Sequence, residues 1–113
     1  MNDMVTQLDV IPFQKPCTGV IELPGSKSIS NRALLLSCFN KSVVTTLFNI
    51  LKSEDVEIMI AALKSLGVNI KTNWAEKTLS IEGCAGIAPV KEQNIQVGNA
   101  GTVARFLTAW LLT

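Results

Sequence analysis

The sequence predicts an α/β fold. Segments with the two-residue period of strands alternate with segments of helical period along 113 residues, and glycine-bearing turns stand where strand gives way to helix. The composition is globular, 48% hydrophobic and 17% charged. This length suits one domain, which buries roughly 65% of the surface its unfolded chain exposes. The mean hydropathy of +0.35 is slightly apolar for so short a chain and hints at surface that something else covers.

Taken in order, Gln7 to Leu23 reads as strand material, with Leu8, Val10, Ile11, Val20, Ile21 and Leu23 on either side of the turn Lys15-Pro16-Cys17-Thr18-Gly19. Two short strands or one interrupted hairpin follow from that pattern. Pro24-Gly25 stops the strand. Ser28 to Phe39 is expected to be helical, capped by Ser28 or Ser30, with Ile29, Ala33, Leu36 and Phe39 or Cys38 on one face and Leu34 and Leu35 widening the stripe,. Val43 to Ile50 is β-branched and reads as a strand. The next helix carries every signal at once. Ser53 caps it, Glu54, Asp55 and Glu57 suit its positive end, Gly67 closes it, and Val56, Met59, Ile60, Leu63 and Leu66 form its buried face,.

Val68 to Thr72 and Thr78 to Ile81 then suggest two strands joined through Asn73 to Lys77, followed by a small-residue loop from Gly83 to Pro89. Asn94 to Val97 reads as a short strand. Gly98-Asn99-Ala100-Gly101-Thr102 opens a last helix whose apolar face is Val103, Phe106, Leu107, Trp110 and Leu111. That helix reaches Thr113 with no cap, Gly or Pro after Leu112, so the sequence is expected to be a piece of a longer chain.

Several classes of function find little support. The net charge is +1, and the four Phe and two Trp are not interleaved with Lys or Arg, so nucleic acid is not an expected partner. There is no histidine, which removes the commonest general base and metal ligand. Cys17, Cys38 and Cys84 are odd in number and far apart. They suggest neither a zinc site nor a redox motif and fit a reducing cytoplasm, with Cys38 a buried small hydrophobe. Met1 to Val10 holds Asp3 and Asp9 and no continuous apolar stretch, unlike a secretory signal,. The apolar runs are too short to span a bilayer, so no membrane association is expected.

Two strand-to-helix turns could carry chemistry. In the first, Leu23-Pro24-Gly25-Ser26-Lys27-Ser28-Ile29-Ser30-Asn31-Arg32, free backbone N–H groups and the helix dipole attract an anion,. Ser26 and Ser28 add hydroxyl donors, and Lys27 a point charge. Arg32, four residues after Ser28 and on the same face, adds a bidentate fork. The residue types are equally satisfied by a capped helix with Lys27 and Arg32 solvated. It is not a P-loop, since no upstream Gly precedes Gly25 at the required spacing. In the second turn Gly98 and Gly101 permit close approach of backbone to a ligand, while Asn99 can cap or reach it and Thr102 adds a hydroxyl. An ordinary glycine-rich helix start fits as well. Arg105 could line the site or serve as a structural ion-pair partner, the reading put first, and Glu54 and Asp55 are read as acids placed by the dipole.

Taken together, the two turns are more specific than either alone. Leu23 to Leu35 is similar to the N-terminal signature of 5-enolpyruvylshikimate-3-phosphate synthases. Asn99-Ala100-Gly101-Thr102 with Arg105 resembles that family's second signature, and Ser53-Glu54-Asp55-Val56 the segment between them. The resemblance implies two domains built of βαβαββ units in an inside-out α/β barrel, with one complete unit here at about 26–90 and the start of a second at about 94. Residues 1–22 would be N-terminal strands packing with a second domain, and 23–113 part of the first. It implies transfer of the enolpyruvyl group of phosphoenolpyruvate to shikimate 3-phosphate, with no metal or organic cofactor. The other partner would be the remaining part of the same enzyme, without which this piece would be inactive.

Carried over by position, Lys27 would be catalytic and contact both substrates. Ser28 and Arg32 would bind shikimate 3-phosphate. Gly101 would present its backbone to phosphoenolpyruvate, with Asn99 and Thr102 shaping that pocket. Phe106 departs from the proline that many relatives have there. The alternatives are the sibling UDP-N-acetylglucosamine enolpyruvyl transferase, disfavoured by Ser28 to Arg32, and a non-catalytic anion-binding module presenting an exposed stripe from Val103 to Leu111.

Overall fold

A computed structural model describes residues 6–113. The elements run α1 (Lys27–Ser37), β1 (Lys41–Phe48), α2 (Glu54–Ser65), β2 (Ile70–Asn73), β3 (Thr78–Cys84) and α3 (Gly101–Leu111). The fold is mixed α/β with a small antiparallel sheet of order β1-β3-β2.

α2 forms as its sequence demands. Ser53 accepts the Val56 N–H at 3.4 Å, three acids occupy the first turn, and the helix ends on Gly67 at φ +91°. There the Gly67 N–H reaches Lys64 O and the Val68 N–H reaches Leu63 O, both at 3.0 Å. This is the left-handed closure that glycine supplies at no steric cost. The β2–β3 turn is fixed by Asn73, whose side chain accepts the Glu76 N–H at 3.2 Å.

Register follows burial. On β3, Leu79 and Ile81 point into the core and pair with Thr72 and Ile70 of β2, and with Leu47 and Thr45 of β1. The helices join the same core through Leu34 of α1 and its C-cap Cys38, through Val56, Met59, Ile60, Ala62 and Leu63 of α2, and through Val103, Leu107 and Trp110 of α3, which lies against α2. Trp110 fixes the last helix in place. Its Nε1–H donates to Gly86 O at 2.7 Å, and its ring lies 6.5 Å from that of Phe39.

Five expectations need correction. Residues 7–23 form no strand, and Leu8, Val10, Ile11, Phe13, Val20, Ile21 and Leu23 are all at least 74% exposed. A strand exists only as half of a hydrogen-bonded pair, and this segment has no partner among the described residues. The part of the expected N-terminal strand region at residues 1–5 lies outside the described residues. Residues 94–97 also form no strand, for the same reason.

The cap of α1 is Ser26, which accepts the Ile29 N–H at 3.3 Å, rather than Ser28 or Ser30. Its buried face is Ser30, Asn31, Leu34, Ser37 and Cys38, while Ile29 and Leu36 are 69% and 66% exposed. Apolar residues surround this helix on two sides, so periodicity could not choose between them. The choice is made by contacts, among them Ser30 Oγ accepting the Leu51 N–H at 3.4 Å. Finally, the α3 stripe is no open partner surface. Val103, Leu107 and Trp110 are buried within the chain itself, which removes the observation that favoured an independent module.

Candidate functional site

Both glycine-bearing turns open helices, and the packing brings those helix starts to the same part of the molecule. Gly25 lets this happen. A Cβ there would overlap the carbonyl oxygen of Asn49 and lie 2.9 Å from Leu51 N, so only glycine lets the turn press against residues 49–51. Ser26 then caps α1, and Lys27 is its first residue.

Lys27 Nζ lies 3.1 Å from Asp55 Oδ2, with the lysine side chain half exposed and the aspartate mostly covered. α1 and α2 therefore begin side by side, and their positive ends share one edge. The ion pair contributes about 0–1 kcal/mol to stability at such exposure. Its larger effect is to limit where the ammonium can go.

Arg32 is one turn further along. Its Nη1 donates to Ser28 O at 3.1 Å, and its Cζ lies 5.4 Å from the centroid of the Phe106 ring on α3. Ser28 itself is exposed. Asn31, next to Arg32, is 1% exposed, and its Oδ1 has no hydrogen-bond partner among the described residues.

The second turn is built by backbone. Ala100 N–H donates to Val97 O at 2.9 Å and Gly101 N–H to Asn99 O at 3.0 Å, with Ala100 buried. Among the described residues no side chain caps α3, so Asn99 does not take the capping role its type allowed. Asn99, Gly101 and Thr102 are exposed, and a Cβ on Gly101 would meet nothing within 4 Å. A Cβ on Gly98 would stand 3.5 Å from Ile58 of α2. Further along, the second turns of α1 and α3 meet through Arg32 and Phe106. The two glycine-bearing turns are thus linked through α2 and α3 and do not touch directly. No hydrogen bond or ion pair among the described residues directly joins Lys27, Ser28 or Arg32 to Asn99, Gly101 or Thr102. Two hollows border Gly25, about 400 and 220 Å³, the larger lined by Ile29, Ala33 and Phe48 among others, and none of these six residues lines either.

Arg105 belongs to neither ion pair among the described residues, which are Lys27–Asp55 and Lys77–Glu22; the structural role expected of it is not seen. Two contributors escaped the sequence reading. Asp55 was assigned to the helix dipole alone, and nothing in a linear pattern pairs it with Lys27, 28 positions away. Phe106 was read as core, whereas its ring also underlies Arg32. Elsewhere, burial pushes the Cys38 thiol up to about 12, with neighbouring Cys84 adding to the effect, which makes it an inert core residue. No group of three or more metal-ligating side chains occurs among the described residues, nor does any helix long and apolar enough to cross a membrane.

Comparison with known proteins gives this arrangement a context. Residues 12–113 match the family model of EPSP synthase (3-phosphoshikimate 1-carboxyvinyltransferase). The chain is 48% identical over 101 residues to the 3-phosphoshikimate 1-carboxyvinyltransferase of Nitrosomonas eutropha, covering 89% of this chain and 23% of that one. It is 44% identical over 108 residues to that of Shewanella piezotolerans, covering 95% and 25%. With the chloroplastic enzyme of Petunia hybrida the identity is 42% over 100 residues, covering 84% and 19%. The chain spans about a fifth to a quarter of the length of these relatives. Because the match runs from residue 12 to residue 113 and takes in both helix-opening turns, the chain belongs to the EPSP synthase family.

Proposed function

We propose that this chain is the part of a 3-phosphoshikimate 1-carboxyvinyltransferase that supplies one corner of its substrate site. The whole enzyme would move the enolpyruvyl group of phosphoenolpyruvate to the 5-hydroxyl of shikimate 3-phosphate and release phosphate. Both substrates are anions, and a site for them needs positive charge held in place before they arrive. The observation that carries the reading is the start of α1, where Lys27 stands at a helix N-terminus, anchored by Asp55, with Arg32 one turn on.

In this reading Lys27 contacts both substrates and stabilises negative charge on phosphoenolpyruvate and on the tetrahedral adduct. Ser28 and Arg32 hold shikimate 3-phosphate, Arg32 through its planar fork. Gly101 offers backbone to phosphoenolpyruvate, and the open space where its Cβ would stand leaves room for that approach. Asn99 and Thr102, both exposed beside it, shape the same pocket. Asp55 offsets one positive charge, so net attraction rests on Arg32 and the paired helix ends.

The βαβαββ repeat, with α1 to β3 inside a first unit and α3 inside a second, is also part of the proposal. So is the pairing of residues 1–22 with a second domain, which would cover the apolar side chains exposed along residues 7–23. The sibling transferase acting on UDP-N-acetylglucosamine is not favoured, because the relatives above are named for the shikimate branch.

The test is turnover in the complete enzyme. Lys27→Ala should reduce kcat/KM by at least a hundredfold, the scale seen when one charge-stabilising donor is removed. Unchanged turnover would show that Lys27 has no such role.

A further inference from the structure

We infer that Phe106 is a positioning residue for Arg32, and through it a determinant of affinity for the phosphorylated acceptor; this rests on the assignment of Arg32 to shikimate 3-phosphate made above. The guanidinium is held from two sides. Its Nη1 donates to Ser28 O at 3.1 Å, and its Cζ lies 5.4 Å from the centre of the Phe106 ring. That separation is within the reach of a cation–π attraction. The ring is itself fixed. Phe106 packs against the core between buried Val103 and Leu107, and α3 is anchored by the hydrogen bond from Trp110 to Gly86 O.

Without the ring, Arg32 would be a surface side chain, free to sample several rotamers around its four torsions. Ordering such a side chain costs affinity when an anion binds. Phe106 settles much of that ordering in advance. It leaves the remaining N–H groups of the guanidinium available, since among the described residues only Nη1 has a partner. Phe106 also bridges the two turns of the site, because it sits one turn beyond Gly101 while its ring meets Arg32 of α1.

The experiment uses the complete enzyme of which, on this reading, the chain is part. KM for each substrate and kcat are measured for Phe106→Leu, Phe106→Met, Phe106→Tyr and Arg32→Ala, with thermal melting as a check on folding. Leu and Met keep an apolar side chain and lose the π face. Either should raise KM for shikimate 3-phosphate by about two- to fivefold, the fold-change a surface cation–π contact represents. KM for phosphoenolpyruvate should stay within about 1.5-fold on the same scale. Phe106→Tyr keeps the face and should restore the parent value.

A normal KM for shikimate 3-phosphate in both Leu and Met variants, beside a large effect of Arg32→Ala, overturns this inference alone. So does a change confined to phosphoenolpyruvate, which would mean that Phe106 acts through the Gly101 turn. If Arg32→Ala itself leaves that KM unaltered, the substrate assignment fails, and this inference with it.

Discussion

Replacing Gly25 by alanine adds one methyl group where the turn before α1 touches the chain after β1. That methyl would overlap Asn49 O and lie 2.9 Å from Leu51 N and 3.1 Å from Asn49 C. All three are backbone atoms, so no side chain can swing away, and either the turn or residues 49–51 must shift. Overpacking of this kind costs about 1–3 kcal/mol, and backbone obstacles place it near the upper end. Against that, alanine reduces the freedom of the unfolded chain, a gain of about 0.4–1 kcal/mol. The net loss is about 2 kcal/mol, or a fall of about 8 °C in Tm for a domain of this size.

Gly101→Ala is the matched control, because its Cβ meets nothing within 4 Å and it lies inside α3. Its Tm should hold or rise by a degree or two, since the first residue of a helix takes only part of the roughly 1 kcal/mol by which alanine is favoured over glycine in a helix interior. In the complete enzyme that same methyl would occupy space assigned here to phosphoenolpyruvate, raising its KM without loss of stability. Thermal melts followed by circular dichroism, with steady-state kinetics alongside, separate the two glycines. A Gly25→Ala protein that melts within about 2 °C of the parent would refute the close approach of the turn to residues 49–51.

Two further outcomes follow from named contacts. Asp55→Asn removes the charge that holds Lys27; it should cost at most about 1 kcal/mol in denaturant melts yet lower kcat/KM by roughly tenfold, and equal kinetics would dismiss the anchoring role. The buried Cys38 thiol is pushed from its ordinary 9.0 up to about 12. Above pH 9 the unfolded chain therefore loses this proton while the folded one keeps it, and stability falls by up to about 1.4 kcal/mol per pH unit. Below pH 9 the group contributes no slope. Urea melts from pH 8 to 10.5 should show this excess slope in the parent and lose it in Cys38→Ala.

The sequence was most legible where independent signals agreed. In α2 the cap at Ser53, the acidic first turn, the apolar stripe and the glycine stop all specify one helix, and its buried face is as read. The β2–β3 hairpin was equally plain, because turn chemistry at Asn73 and alternation on β3 point the same way. α1 was legible as a helix and misread as a surface. Its apolar residues lie on two sides, and the buried side carries Ser30, Asn31 and Ser37. For the site, the helix starts could be read and the pairings could not. Lys27 with Asp55, and Arg32 with Phe106, are products of helix packing rather than of spacing.

The misread stretches share one physical cause. Residues 7–23 have strand composition and no strand to pair with among the described residues, and α1 has an apolar side, Ile29 and Leu36, that stays about two-thirds exposed. The exposed Phe48 borders the same hollow as Ile29. Single apolar side chains on a surface need no explanation, but a strand-patterned segment and a helix face exposed together do. The chain spans a fifth to a quarter of its relatives' length, so on the function proposed here the missing neighbours are the rest of the enzyme. The same reasoning explains why the chemistry is incomplete. On that proposal Lys27, Arg32 and the Gly101 turn would hold anions at one edge, and closing over two substrates would take groups from a facing surface.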